Sequence, residues 1–177
     1  MWSNSKSAEI ALLVLSFATP VLAQGTNTWP DTCGPREMRF SVQRDWYLGR
    51  HFTPATPPGK ATIYFIQSGA LLVRVAIDGV WIGATKDDSY FAVSVDPGKH
   101  HICEDAGWIK LSDIDVEPGR TYYVRAQMQY FGRGLRRNEV TGMELETIDA
   151  HDGGRLIAKY PLSVFQEKKQ KAKKNNR

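Results

Sequence analysis

Past its first 23 residues the sequence has no run apolar enough to cross a bilayer, which excludes an internal membrane span. It also lacks compositional bias. With 42% hydrophobic and 24% charged residues it is not collagen-like, not a coiled coil and not disordered along its whole length. At 177 residues it suits one domain with tails and not two full domains. No helical crossover of a dozen residues separates its short apolar runs, which argues against an α/β sheet. There is no Gly-x-Ser-x-Gly elbow and no repeat beyond two similar turns. Cysteine is scarce, with only Cys33 and Cys103.

The N-terminus reads as a secretory signal peptide over residues 1–23. Lys6 precedes the apolar run Ile10-Ala-Leu-Leu-Val-Leu-Ser-Phe-Ala18, and Val21 and Ala23 flank a cleavage site before Gln24. The alternative is an N-terminal anchor, but the run is about half of the ~20 residues a span needs. No cysteine follows the cleavage site directly, so a lipoprotein is not expected. The expected location is the periplasm or the extracellular space, with no integral span after cleavage. An even cysteine count in an oxidising compartment predicts a Cys33–Cys103 disulfide, with two buried thiols as the alternative.

The net charge of +4 is unevenly placed. Lys168, Lys169, Lys171, Lys173, Lys174 and Arg177 stand against Glu167, a net of +5 in the last 11 residues that leaves −1 for the other 166. Such a tail is either a solvated end or a binder of polyanions. Export argues against nucleic acid and in favour of anionic lipid headgroups or acidic envelope polymer.

Residues 24–36 look irregular, and residues 37–43 suit a first strand. A linker-like Thr53-Pro-Ala-Thr-Pro-Pro-Gly59 follows. From residue 60 the pattern is β throughout. Ala61-Thr-Ile-Tyr-Phe-Ile66 is apolar on both faces, as in a central strand, and residues 71–77 alternate. Asp78-Gly79 is a type I′ hairpin signal before Val80-Trp-Ile-Gly-Ala84, and residues 89–95 give another strand. Asp96-Pro-Gly98 and Glu117-Pro-Gly119 read as type II turns. Between them the apolar phase of residues 109–116 shifts, which predicts a bulge or a twist. Residues 121–131 place Tyr122, Val124, Ala126, Met128 and Tyr130 on one face and Tyr123, Arg125, Gln127 and Gln129 on the other. Residues 140–148 suit the last strand. A short helix fits residues 149–159, weakened by Gly153-Gly154, and residues 163–174 also read as helical.

Seven or eight short strands predict an all-β fold, an antiparallel β-sandwich of immunoglobulin-like or transthyretin-like type. The expected organisation is a signal peptide (1–23), an irregular N-terminal segment with one strand (24–59), the sandwich (60–148) and a C-terminal extension with the basic tail (149–177).

The motifs Ala61-Thr-Ile-Tyr-Phe, Val75-Ala-Ile-Asp-Gly79, Ser89-Tyr-Phe91, Pro97-Gly-Lys-His100 and Val116-Glu-Pro-Gly-Arg-Thr-Tyr-Tyr-Val124 occur in order across residues 60–128. In this the chain resembles the bacterial exported-protein family called domain of unknown function 2846 (DUF2846). The resemblance implies an exported or surface β-domain and no reaction.

Candidate chemistry is sparse. Of His51, His100, His101 and His151, the adjacent pair faces opposite sides of a strand. His101 with Cys103 is a weak metal pair, set against the disulfide. Asp113 and Asp115 share a strand face that reads as solvated. Ser112, His151 and Asp152 make a triad only on paper. The loop holding Arg133, Arg136 and Arg137 suits an anion or plain exposure. Trp81, Trp108 and Tyr123 suit sugar stacking or a core. No catalytic residue, metal ligand or cofactor is assigned. The expected function is a non-enzymatic binding or structural module of the bacterial envelope, in contact with anionic material through Lys168 and the tail. The alternatives are a carbohydrate-binding accessory domain and an uncharacterised hydrolase.

Overall fold

The structure is a computed structural model that describes residues 29–52, 54–131 and 139–168. Residues 1–23, read above as a signal peptide, and Thr53, Arg133, Arg136, Arg137, Lys169, Lys171, Lys173 and Lys174 lie outside the described residues. Among the described residues, ten strands and two short helices follow one another as β1 (Phe40–Asp45), α1 (Trp46–His51), β2 (Ala61–Ser68), β3 (Leu72–Ile77), β4 (Val80–Lys86), β5 (Ser89–Val95), β6 (Gly98–Asp105), β7 (Ile109–Val116), β8 (Thr121–Phe131), β9 (Glu139–Ile148), α2 (Ala150–Lys159) and β10 (Leu162–Glu167).

These strands make two sheets, ordered β1-β10-β5-β2-β8-β9 and β4-β3-β6-β7. The fold is an all-β sandwich. Ile63, Phe65, Phe91, Val124 and Met128 of the larger sheet face Val73, Val75, Ile77, Ile102 and Ile114 of the smaller one, all nearly dry. The central position expected for β2 holds: it lies between β5 and β8 and is buried on both faces.

Local chemistry explains the turns. Asp78 and Gly79 both take positive φ (50° and 81°), which brings β4 back along β3. Gly119 sits at φ 73° in a turn closed by the Arg120 N–H on the Glu117 carbonyl, as a type II turn requires.

Four expectations need correction. Residues 163–174 are not helical where described, because Leu162–Glu167 forms β10 between β1 and β5. Alternation decides it, since Phe165 points inward and packs 5.3 Å from Phe91 and 6.0 Å from Phe40. Not every pairing is antiparallel. β2 and β8 run parallel over Thr62–Ser68, and β10 meets β5 in parallel at Leu162–Tyr90. Between β2 and β8 the chain builds β3 and β4 in the second sheet, returns to the first as β5 antiparallel to β2, and adds β6 and β7 to the second before β8 pairs with the other edge of β2 in parallel. Of the bulge or twist expected in residues 109–116, the bulge is absent: all eight residues pair with β6 in unbroken register and Leu111 turns to solvent. The register shifts fall at Val75/Ala76 and Gln129/Tyr130 instead. Finally, the strands outnumber the seven or eight expected.

The six-stranded sheet also recruits β1 and β10 from outside residues 60–148, and α2 covers its outer face. Asp149 caps α2 by accepting from the Asp152 N–H at 2.8 Å. Leu156 packs with Tyr64, Ile66 and Tyr90. Tyr123, expected on a polar face, stacks on Tyr64 at 5.2 Å beneath this helix. Gly153 makes the helix possible there: a Cβ would fall 2.2 Å from the Tyr123 ring, whereas Gly154 has open space. Gly153→Ala is therefore expected to lose about 1–3 kcal/mol from overpacking. Gly154→Ala is expected to gain roughly 0.5–1 kcal/mol from helix propensity. Urea melts of the two variants beside the parent check both signs.

Candidate functional site

Residues 29–39 cross the outer face of the four-stranded sheet and are fixed there at several points. The Cys33–Cys103 disulfide ties the segment to β6. The Gly79 N–H donates to the Thr32 carbonyl at 3.1 Å, and Trp81 Nε1 donates to the Pro35 carbonyl at 2.8 Å.

Arg74 completes the attachment. It lies on the outward phase of β3, yet it is 7% exposed because the segment covers it. Its guanidinium sits 4.5 Å from the Trp81 ring centroid and 5.7 Å from that of Trp29. Nε donates to Asp105 Oδ2 at 3.1 Å and Nη2 donates to the same oxygen. Nη1 donates to the Arg36 and Met38 carbonyls. Asp105 Oδ1 accepts from the Gly107 N–H at 2.8 Å. Arg74 is thus spent on the fold, and its charge is balanced by Asp105.

The surroundings of this pair form a groove. One part, of about 420 Å³, is walled by Trp29, Arg36, Arg39 and Ile109 over Asp105. A second part, of about 370 Å³, shares Arg39 and Asp105 and runs to Phe40 and Lys168. Arg36 and Arg39 are exposed. The Arg36 guanidinium lies 5.7 Å from the Trp29 centroid, and Arg39 Nη1 donates to the Arg36 carbonyl at 2.8 Å. The Lys168 N–H donates to the Arg39 carbonyl at 2.8 Å, so the chain leaves β10 for the basic tail at the edge of this groove. With Arg74 neutralised, Arg36, Arg39 and Lys168 leave the groove cationic.

His100 serves the fold. His100 Nδ1 meets Asp78 Oδ2 and its Nε2 meets the Asp96 carbonyl, both at 2.7 Å. Burial alone would lower its pKa, but these two acceptors outweigh burial and raise it above the ordinary value. Asp78 is held low in turn: burial opposes this, while the His101 N–H and the His100 ring favour the carboxylate. With both ring nitrogens engaged, His100 has no free lone pair for a substrate proton. It joins the β3–β4 hairpin to the β5–β6 corner.

The remaining candidates do not converge. Asp113, expected to be merely solvated, accepts from Lys99 Nζ at 2.6 Å and from His101 Nδ1 at 2.7 Å, on an open surface. Cys103 is in the disulfide and cannot join His101 on a metal. Among the described residues no three His, Cys, Asp or Glu side chains are grouped to hold a metal ion. Ser112 lies on β7, while His151 and Asp152 lie on α2 against the other sheet. Trp81 is buried, Tyr123 is stacked beneath α2, and Trp108 is exposed alone, so the three aromatics form no common platform.

One acid is out of place. Glu104 of β6 points into the sandwich, 1% exposed, and its Oε2 has no hydrogen-bond partner. Burial pushes its pKa up to about 8. It is closed off from any substrate.

The groove residues Trp29, Arg36, Arg39 and Asp105 escaped the sequence reading. The first three lie in a segment without periodicity. The available signal was Arg74, a lone cation inside an apolar strand that needs a buried partner. No family model matches the chain, and neither a curated protein nor a solved structure matches it.

Proposed function

We propose that this chain is an exported, non-enzymatic β-sandwich that acts as a binding module of the bacterial envelope and holds anionic envelope material. The resemblance to the DUF2846 family is part of the same proposal. One observation carries it: Lys168, the residue from which the basic tail departs, lies beside Arg39 at the edge of a folded cationic groove. The disulfide supports export, because such bonds persist in oxidising compartments. The locked His100 and the closed-in Glu104 favour a binding role over hydrolysis.

Co-sedimentation with phosphatidylglycerol vesicles and with isolated cell walls tests the reading. The full chain is compared with a variant carrying Gln at 168, 169, 171, 173 and 174. Binding is expected to fall as salt rises from about 0.1 M to about 1 M, where the screening length drops from ~10 Å to ~3 Å. The variant is expected to bind at least about tenfold more weakly. Equal, salt-independent sedimentation of both chains contradicts the proposal.

A further inference from the structure

We propose that the groove between residues 29–39 and the β6–β7 corner binds a single strand of carboxylated polysaccharide, with the tail adding affinity that is indifferent to ligand shape. The inference rests on the polyanion reading above and names the ligand class for its folded part.

Three features of the groove select this ligand. It is concave, and its two parts of about 420 and 370 Å³ share Arg39 and Asp105 as walls, so they lie side by side. Each volume lies within the range of small-molecule sites, about 300–1,000 Å³. Adjacent concavities of this kind suit neighbouring units of one extended chain, whereas a flat bilayer surface would touch only their rims. Its walls are also of mixed character: Ile109, and the part of the Trp29 ring that the Arg36 and Arg74 guanidinium groups leave uncovered, offer apolar surface to the C–H faces of a sugar ring. Arg36 and Arg39 offer planar forks that match a carboxylate, and Lys168 extends the cationic line toward the tail.

The third feature is the acceptor at the floor. Asp105 uses Oδ2 for Arg74 and Oδ1 for the Gly107 N–H, and a carboxylate has about four lone-pair sites. It can therefore still accept from a ligand hydroxyl. Cations beside an acceptor and an aromatic wall suit a ligand that carries acid and hydroxyl groups on the same ring. A polyphosphate has no hydroxyl to offer Asp105 and no apolar face for Trp29.

The test is calorimetric titration of the full chain with tetragalacturonate, its neutral counterpart maltotetraose, and inorganic polyphosphate. Three proteins are compared: the parent, the R36Q/R39Q double variant, and a tail variant with Gln at 169, 171, 173 and 174 that keeps the groove residue Lys168. Arg36 and Arg39 are exposed, so the double variant keeps the core intact. Tetragalacturonate is expected to bind the parent and, within a few-fold, the tail variant. The double variant is expected to lose at least about tenfold, the effect of losing a charged hydrogen bond. Maltotetraose is expected not to bind. Equal affinity of parent and double variant for tetragalacturonate overturns the inference, as does binding of polyphosphate alone. Failure of tetragalacturonate to bind while tail-dependent sedimentation persists removes the groove and leaves the proposed function standing. Loss of both removes both.

Discussion

Folding stability is expected to fall by roughly 1 kcal/mol per pH unit as pH rises from near 5 to near 8. The cause is Glu104. Its carboxyl, at 4.5 when unperturbed, is pushed by burial up to about 8 in the folded protein. Across that window the folded chain keeps a proton that the unfolded chain has released. The folded state then binds more protons, and stability declines with pH until Glu104 ionises near 8. His100 acts in the same direction. Its folded pKa is raised, so its contribution is full below the ordinary value of 6.5 and fades as pH passes the folded value. Asp78 and Asp113 are held low, so they act at the acid end, where stability is lost as pH falls through their folded values. Glu104→Gln is expected to flatten the slope between pH 5 and 8. Glu104→Leu also removes the unpartnered oxygen and is expected to gain at least roughly 1–3 kcal/mol at pH 8. Urea unfolding followed by tryptophan fluorescence at several pH values reads both effects. An unchanged slope in Glu104→Gln would place the titrating group elsewhere.

Removing the disulfide with Cys33→Ala and Cys103→Ala is expected to destabilise the protein by about 4 kcal/mol. The bond joins residues 70 apart in sequence, and the chain-entropy model assigns about that much to a loop of this length. Against a typical total of about 5–15 kcal/mol the loss is large. It reaches the groove as well. Residues 29–39 carry Arg36 and Arg39 and are held by the disulfide together with hydrogen bonds from Trp81 and Arg74. The double variant is therefore expected to lose groove-dependent binding under conditions where its sheets remain folded. A double variant as stable as the parent in urea would show that the segment is held by its hydrogen bonds and packing alone.

Much of the sandwich was legible because strand burial leaves a local signature. The two-faced apolar run of β2, the Asp78-Gly79 hairpin and the alternation of β8 each follow from their own residues. β10 was not legible, because Leu162 and Phe165 acquire their meaning only beside Phe40 and Phe91. The parallel β2·β8 pair depends on the path of the intervening chain, which periodicity does not encode. Gly153 illustrates the same limit: read locally it weakens a helix, and only the Tyr123 ring 2.2 Å from its virtual Cβ makes it necessary. The groove was the least legible part, being assembled by a covalent tie and a buried Arg74–Asp105 pair between distant segments.

Backbone amide shift mapping during titration with tetragalacturonate tests most directly whether acidic ligand is met on the outside of the smaller sheet. The expected perturbations cluster at Trp29, Arg36, Arg39, Asp105, Gly107 and Lys168, with the amides around His100 left unmoved. Perturbations centred on His100, His101 and Asp113, or on the α2 side of the larger sheet, with residues 29–39 silent, would contradict the account.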